Sequence, residues 1–201
     1  LAGGYGHPNR VKIALEAGAA GVQVGTIFAL CNESGMEPEL KQTLVQKAVL
    51  GEADVFTDPN VSPTGFPFKV ARLEGTMSEK KVYEERTRVC DMGFLRVAYK
   101  KENGAAGFRC SAEPVDNFVA KGGVAEDTVG KGCLCNNLLA STGFPQIRKN
   151  GYVEKPILTI GDDLLNIGRF IPYGSASYSA KDVINYLLSS IGLDTPKTST
   201  A

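Results

Sequence analysis

The sequence predicts an α/β fold, namely the C-terminal part of a (β/α)8 barrel of the TIM type followed by an α+β extension. Three observations carry this. Within residues 1–28 two short strand ends close on glycines, at Gly3-Gly4 and at Gly25, with one helical stretch between them. Residues 20–24 are apolar and β-rich, as a parallel strand covered on both faces should be. A full barrel takes about 250 residues, whereas only these two barrel-like strands are found in 201 residues. The remaining strands are therefore expected in an N-terminal part that precedes Leu1, and no basic segment followed by an apolar run marks a signal peptide at the start.

Each element has its own local reason. Pro8 suits a first helical position, Val11, Ala14 and Leu15 follow at helical spacing, and Gly18 suits the helix end. A second amphipathic helix is expected over 37–50, from Pro38 at its start through Leu40, Leu44, Val45 and Ala48 to Gly51, packing on the barrel exterior. Residues 54–67 turn to Thr, Asp, Pro, Asn, Ser and Gly, which marks a boundary. Further on, 78–88 reads as a charged helix capped by Ser78, 152–160 as a strand, and 162–170 and 179–188 as helices. The last of these shows Val183, Ile184, Leu187 and Leu188 on one face. The expected domains are 1–52 as the last two β/α units, 53–190 as the extension, and 191–201 as a disordered polar tail.

Composition excludes several partners. The 22 basic and 22 acidic residues balance, so no global field draws the chain to nucleic acid or to an anionic membrane. The uncharged stretch between Glu16 and Glu33, as long as any in the chain, is shorter than the ~20 apolar residues of a membrane helix and is interrupted by Gly, Gln and Thr. A cytoplasmic protein with a small-molecule substrate is expected.

Glycine after a parallel strand lets backbone N–H groups approach an anion with no Cβ in the way. A flavin or nucleotide phosphate is the ligand such a pair of sites suits; the plainer reading is that the glycines relieve crowding at strand ends. The residues Ala2-Gly3-Gly4-Tyr5 and the run from Ala14 through Gly18 to Gly21-Val22-Gln23-Val24-Gly25-Thr26 resemble the nitronate monooxygenase family. The likeness continues through Glu33-Ser34 and the run from Ser62 to Val70. The resemblance implies an FMN barrel in which Gly3, Gly4, Gln23, Val24, Gly25 and Thr26 hold the ribityl phosphate, Thr26 adding its hydroxyl. It also implies oxidation of an alkyl nitronate, with O2, to a carbonyl compound and nitrite. FMN-dependent enoyl reductases of fatty-acid or polyketide synthesis share much of the glycine pattern and are the enzymatic alternative.

The family's catalytic histidine sits in an Ala-Gly-Gly-His type motif on an earlier strand. Here Ala2-Gly3-Gly4 is followed by Tyr5 and lies one crossover before the second glycine site, so His7, the chain's one histidine, is read as a capping or exposed loop residue. No catalytic residue is assigned to this chain, and the base is expected upstream of Leu1. Of five cysteines, Cys90, Cys110, Cys133 and Cys135 fall in one stretch. Only Cys133-x-Cys135 is close-spaced, so buried reduced thiols are expected and no metal ligand is assigned. A metal-stabilised non-catalytic module is the remaining alternative.

Overall fold

The computed structural model describes residues 1–171 and 175–191. Contacts within the chain divide it into two units, Leu1–Asp54 with Ile160–Ala201, and Val55–Thr159.

In the first unit Pro8 opens α1 (Pro8–Glu16), where its missing N–H costs nothing, and His7 precedes it as the N-cap. Gly18 (φ +84°) ends the turn beyond the helix in the left-handed region that glycine tolerates. A short helix, α2 (Thr26–Ala29), follows Gly25, and α3 (Pro38–Val49) carries the expected buried stripe of Leu44, Val45 and Ala48. The segment Asp162–Phe170 is a 3-10 helix rather than an α-helix. Its buried residues Leu164, Ile167 and Phe170 recur every third position, and a 3-10 turn stacks that spacing on a single side. This segment packs on α2 and α3, while the last helix, α4 (Ala180–Leu188), packs on α1 and α2. Ser179 and Asp182 form a reciprocal capping box at its start; Val183 and Leu187 are buried, but Ile184 is 40 % exposed and leaves the expected face.

The expected barrel strands reduce to one parallel bridge, Ala2↔Gln23, in which the Gln23 N–H donates to the Leu1 carbonyl at 2.7 Å. Residues 20–24 are not a strand covered on both faces: Val22 and Val24 are half-buried, and Gly21 and Gln23 are exposed. A parallel strand needs neighbours to take its N–H and C=O groups. Among the described residues, no closed barrel forms and both sheets are antiparallel pairs.

Those pairs lie in the second unit: β1 (Val55–Asp58) with β2 (Phe68–Ala71), in register from Val55↔Ala71 to Asp58↔Phe68, and β3 (Val97–Lys100) with β4 (Ala106–Arg109). Three short helices accompany them, α5 (Lys80–Glu85), α6 (Val115–Ala120) and α7 (Leu134–Ser141). The apolar centre is Val61, Val70, Met77, Leu134 and Ile157. The helix expected over 78–88 shortens to α5 because Ser78 does not cap it. Its hydroxyl accepts the Leu73 N–H at 3.1 Å and bonds Thr76 at 2.8 Å, closing a local turn instead. Residues 152–160 form an extended segment with only the Ile147↔Val153 bridge. Pro156 has no N–H to give a ladder; its carbonyl accepts from Met77, and that of Leu158 from Ala71. Of the tail expected over 191–201, residues 192–201 lie outside the described residues.

Candidate functional site

The parallel sense of the Ala2↔Gln23 bridge sends Gly3-Gly4 and Val24-Gly25 away from it in the same direction. The structure thus brings together the two glycine sites that the sequence singles out. Gly3 (φ +86°) and Gly4 (φ +74°) occupy conformations that favour glycine, and a Cβ built on Gly4 would meet the Arg10 guanidinium at 2.8 Å. Gly25 is different. Its backbone suits any residue, and a Cβ there would meet nothing within 4 Å, so neither strain nor packing calls for glycine. Gly3 faces equally open space.

The other expected contacts are unequal. The Gln23 N–H is spent on the bridge. The Thr26 hydroxyl oxygen accepts the Gly161 N–H at 2.9 Å, which leaves its proton as the group it can offer. The N–H groups of Thr26 and Ile27, in the first turn of α2, have no carbonyl four residues back within the helix.

Three further residues surround this loop, and sequence reasoning passed over them. Arg10 donates to the Gly4 carbonyl and Arg169 to the Gly6 carbonyl, each at 2.9 Å. Asp163 faces Gly6 so closely that a Cβ there would collide with its carboxylate, and it pairs with Arg169 at 3.8 Å. Arg169 also lies over the rings of Phe170 and Tyr186, at 5.0 and 4.8 Å. Arg169 reaches the loop from the far end of the chain, and no local spacing announces it. His7 caps α1, its Nδ1 accepting the Asn9 N–H at 3.3 Å, and meets Tyr186 edge-on with ring centroids 5.9 Å apart.

The second unit holds a different chemistry. Glu154, wholly buried, accepts from Arg86 Nε at 2.7 Å and Nη2 at 2.9 Å, and also from Arg148. Arg148 in turn pairs with Asp91 at 2.7 Å, and Asn136 Nδ2 donates to Asp91 at 2.8 Å. Burial pushes the Asp91 carboxyl up, but the hydrogen bonds from Arg148 and Asn136 outweigh it and hold the group below its ordinary range. Beside this network Cys110 and Cys133 pack with Ala112, and Cys135 lies against them. Burial raises both the Cys110 and Cys133 thiols, and backbone hydrogen bonds from Ala112 and Asn136 respectively offset part of it. All five cysteines are free, and among the described residues no group of three or more His, Cys, Asp or Glu side chains is placed to hold a metal ion. No helix among the described residues is long and apolar enough to cross a membrane.

Comparison with curated proteins and with solved structures returned no match. The family model of the nitronate monooxygenases matches residues 1–56. That span holds both glycine sites, α1 to α3 and their loops, and ends before the run from Ser62 to Val70. The resemblance read from the glycines is borne out at the level of the family: over residues 1–56 this chain carries the pattern of the nitronate monooxygenases, a family of flavin-dependent oxidoreductases.

Proposed function

We propose that this chain is part of an FMN-dependent oxidoreductase of the nitronate monooxygenase type and supplies the site for the flavin's ribityl phosphate. The observation that carries the reading is the parallel Ala2↔Gln23 bridge, which aligns two glycine sites with open space over Gly3 and Gly25. These residues fit the group, because a phosphate needs close backbone approach and unpaired N–H donors. The N–H groups of Gly3, Gly4, Val24, Gly25 and Thr26 are the donors, with the Thr26 hydroxyl proton beside them. Gln23 contributes by fixing the bridge rather than by its N–H. Arg10 and Arg169, anchored on carbonyls of the Gly4–Gly6 loop, set positive charge near the anion. In this reading the bridge is a pair of neighbouring strand ends in a (β/α) barrel.

The chemistry that bound FMN supplies is electron transfer from an alkyl nitronate, with O2 completing conversion to a carbonyl compound and nitrite. This chain's residues anchor and orient; His7, committed to capping α1, moves no proton in the reaction.

The test is Gly25→Val in the flavin-containing protein. Retained flavin should fall by about tenfold or more, the loss of roughly 1.4 kcal/mol or above, while circular dichroism stays unchanged. A folded Gly25→Val protein with normal flavin content overturns the site. Nitrite release from an alkyl nitronate, against reduction of the bound flavin by NAD(P)H, separates the monooxygenase from an enoyl reductase.

A further inference from the structure

We propose that Cys90, Cys110, Cys133 and Cys135 form a tetrathiolate site for a thiophilic divalent metal ion, Zn2+, that fastens the second unit together. The four thiols come from the loop after α5, the end of β4 and the start of α7, yet the fold gathers them. Cys110 and Cys133 share one packed cluster with Cys135 against it, and Cys90 lies within electrostatic reach of both. Cys31 belongs to the other unit and takes no part.

The surroundings are those that thiolate ligands require. Four thiolates around Zn2+ leave a net charge of about −2, which buried sites offset with cations and with N–H donors aimed at sulfur. Arg96 Nη2 lies 3.5 Å from Cys90 Sγ, and Arg86 acts on Cys133. Backbone N–H groups of Ala112 and Asn136 favour the charged forms of the Cys110 and Cys133 thiols. Cys133 is moreover the N-cap residue of α7, where the helix end favours negative charge. As they lie, the sulfurs are gathered but not closed into a ligand array. Metal binding draws them inward and releases their protons, so affinity falls as pH falls.

The unit also has a structural use for such a fastener. Its regular structure is two antiparallel strand pairs and α-helices of six to eight residues. Loop-rich units with small apolar centres commonly rely on a metal or on disulfides, and these cysteines are unpaired.

The experiment is elemental analysis of the whole protein purified under reducing conditions, followed by chelation and titration with Co2+. About one Zn2+ per chain is expected, with a thiolate-to-cobalt charge-transfer band that saturates at about one equivalent. Cys133→Ser and Cys110→Ser should abolish stoichiometric metal; Cys31→Ala should leave it unchanged. If the serine variants fail to fold, the Co2+ spectrum of the unmutated protein decides, since four-sulfur ligation has its own intensity. Absence of metal with four freely titratable thiols, a disulfide among them by mass spectrometry, or iron with inorganic sulfide would each overturn the zinc site. None of these readouts involves flavin.

Discussion

The two units differ in what they bury. The first is centred on apolar side chains, among them Ile27, Leu30, Leu44, Leu164, Ile167 and Val183, and its candidate site is made of backbone. The second places Arg86, Glu154 and Asn136 inside, and its candidate chemistry is made of side chains drawn from separate segments. A backbone site depends on local conformation, so its glycines stand close together in sequence. A side-chain site depends on packing, and its members need no spacing at all.

The sharpest way to break this contrast is Glu154→Gln. Arg86, whose side chain is 4 % exposed, would lose its paired charge while Arg148 kept only Asp91. Removing one partner of a buried pair costs about 3–5 kcal/mol. Hydrogen exchange should show the loss in residues 55–159; an unchanged pattern there would mean that the network is not what holds the unit.

Leu164→Ala is the matching change in the first unit. Leu164 is fully buried where the 3-10 segment meets α2 and α3, so truncation should cost about 2–5 kcal/mol by urea denaturation. A cost under about 1 kcal/mol would show that this core relaxes in a way close packing does not allow.

A smaller effect is expected for Tyr178→Phe. The buried hydroxyl donates to the Ile27 carbonyl at 2.7 Å, and burial raises its pKa. Loss of that bond leaves one carbonyl underused, costing about 1–2 kcal/mol by thermal unfolding. Ser179→Ala, which opens the capping box of α4, should cost about 1 kcal/mol.

The smallest expected effect is one of pH. Because the Asp91 carboxyl titrates lower when folded than when unfolded, its stabilising contribution is complete above the ordinary Asp range. It is lost as pH falls through the depressed folded value. The thermal midpoint of Asp91→Asn should therefore vary less with pH on the acid side than that of the parent protein. Equal acid limbs would remove Asp91 from the account.

Legibility in the sequence followed the same division. Pro8, Pro38, Gly18 and Gly51 announce helix ends because capping acts within a turn, and α1 and α3 lie where those residues place them. Ser78 looks like an equally good cap, but its hydroxyl had nearer partners in Leu73 and Thr76. The stretch 152–160 has strand composition, yet a strand is a relation between segments, and Pro156 weakens it. Arg10 and Arg169 at the glycine loop were invisible for a related reason: each is one ordinary basic residue until the fold seats it on a carbonyl.

By itself the sequence determined the local conformations: the proline and glycine ends of the helices, and the glycine pattern shared with the nitronate monooxygenases over residues 1–56. Only the tertiary structure decided which distant groups would meet. It set Gly161 on Thr26, paired Arg86 with Glu154 across 68 residues, and gathered thiols that composition alone left scattered. The reason is physical: capping and turn energies are settled within a few residues, whereas burying a charge or a thiol becomes favourable only once the partners that stabilise it have been packed alongside.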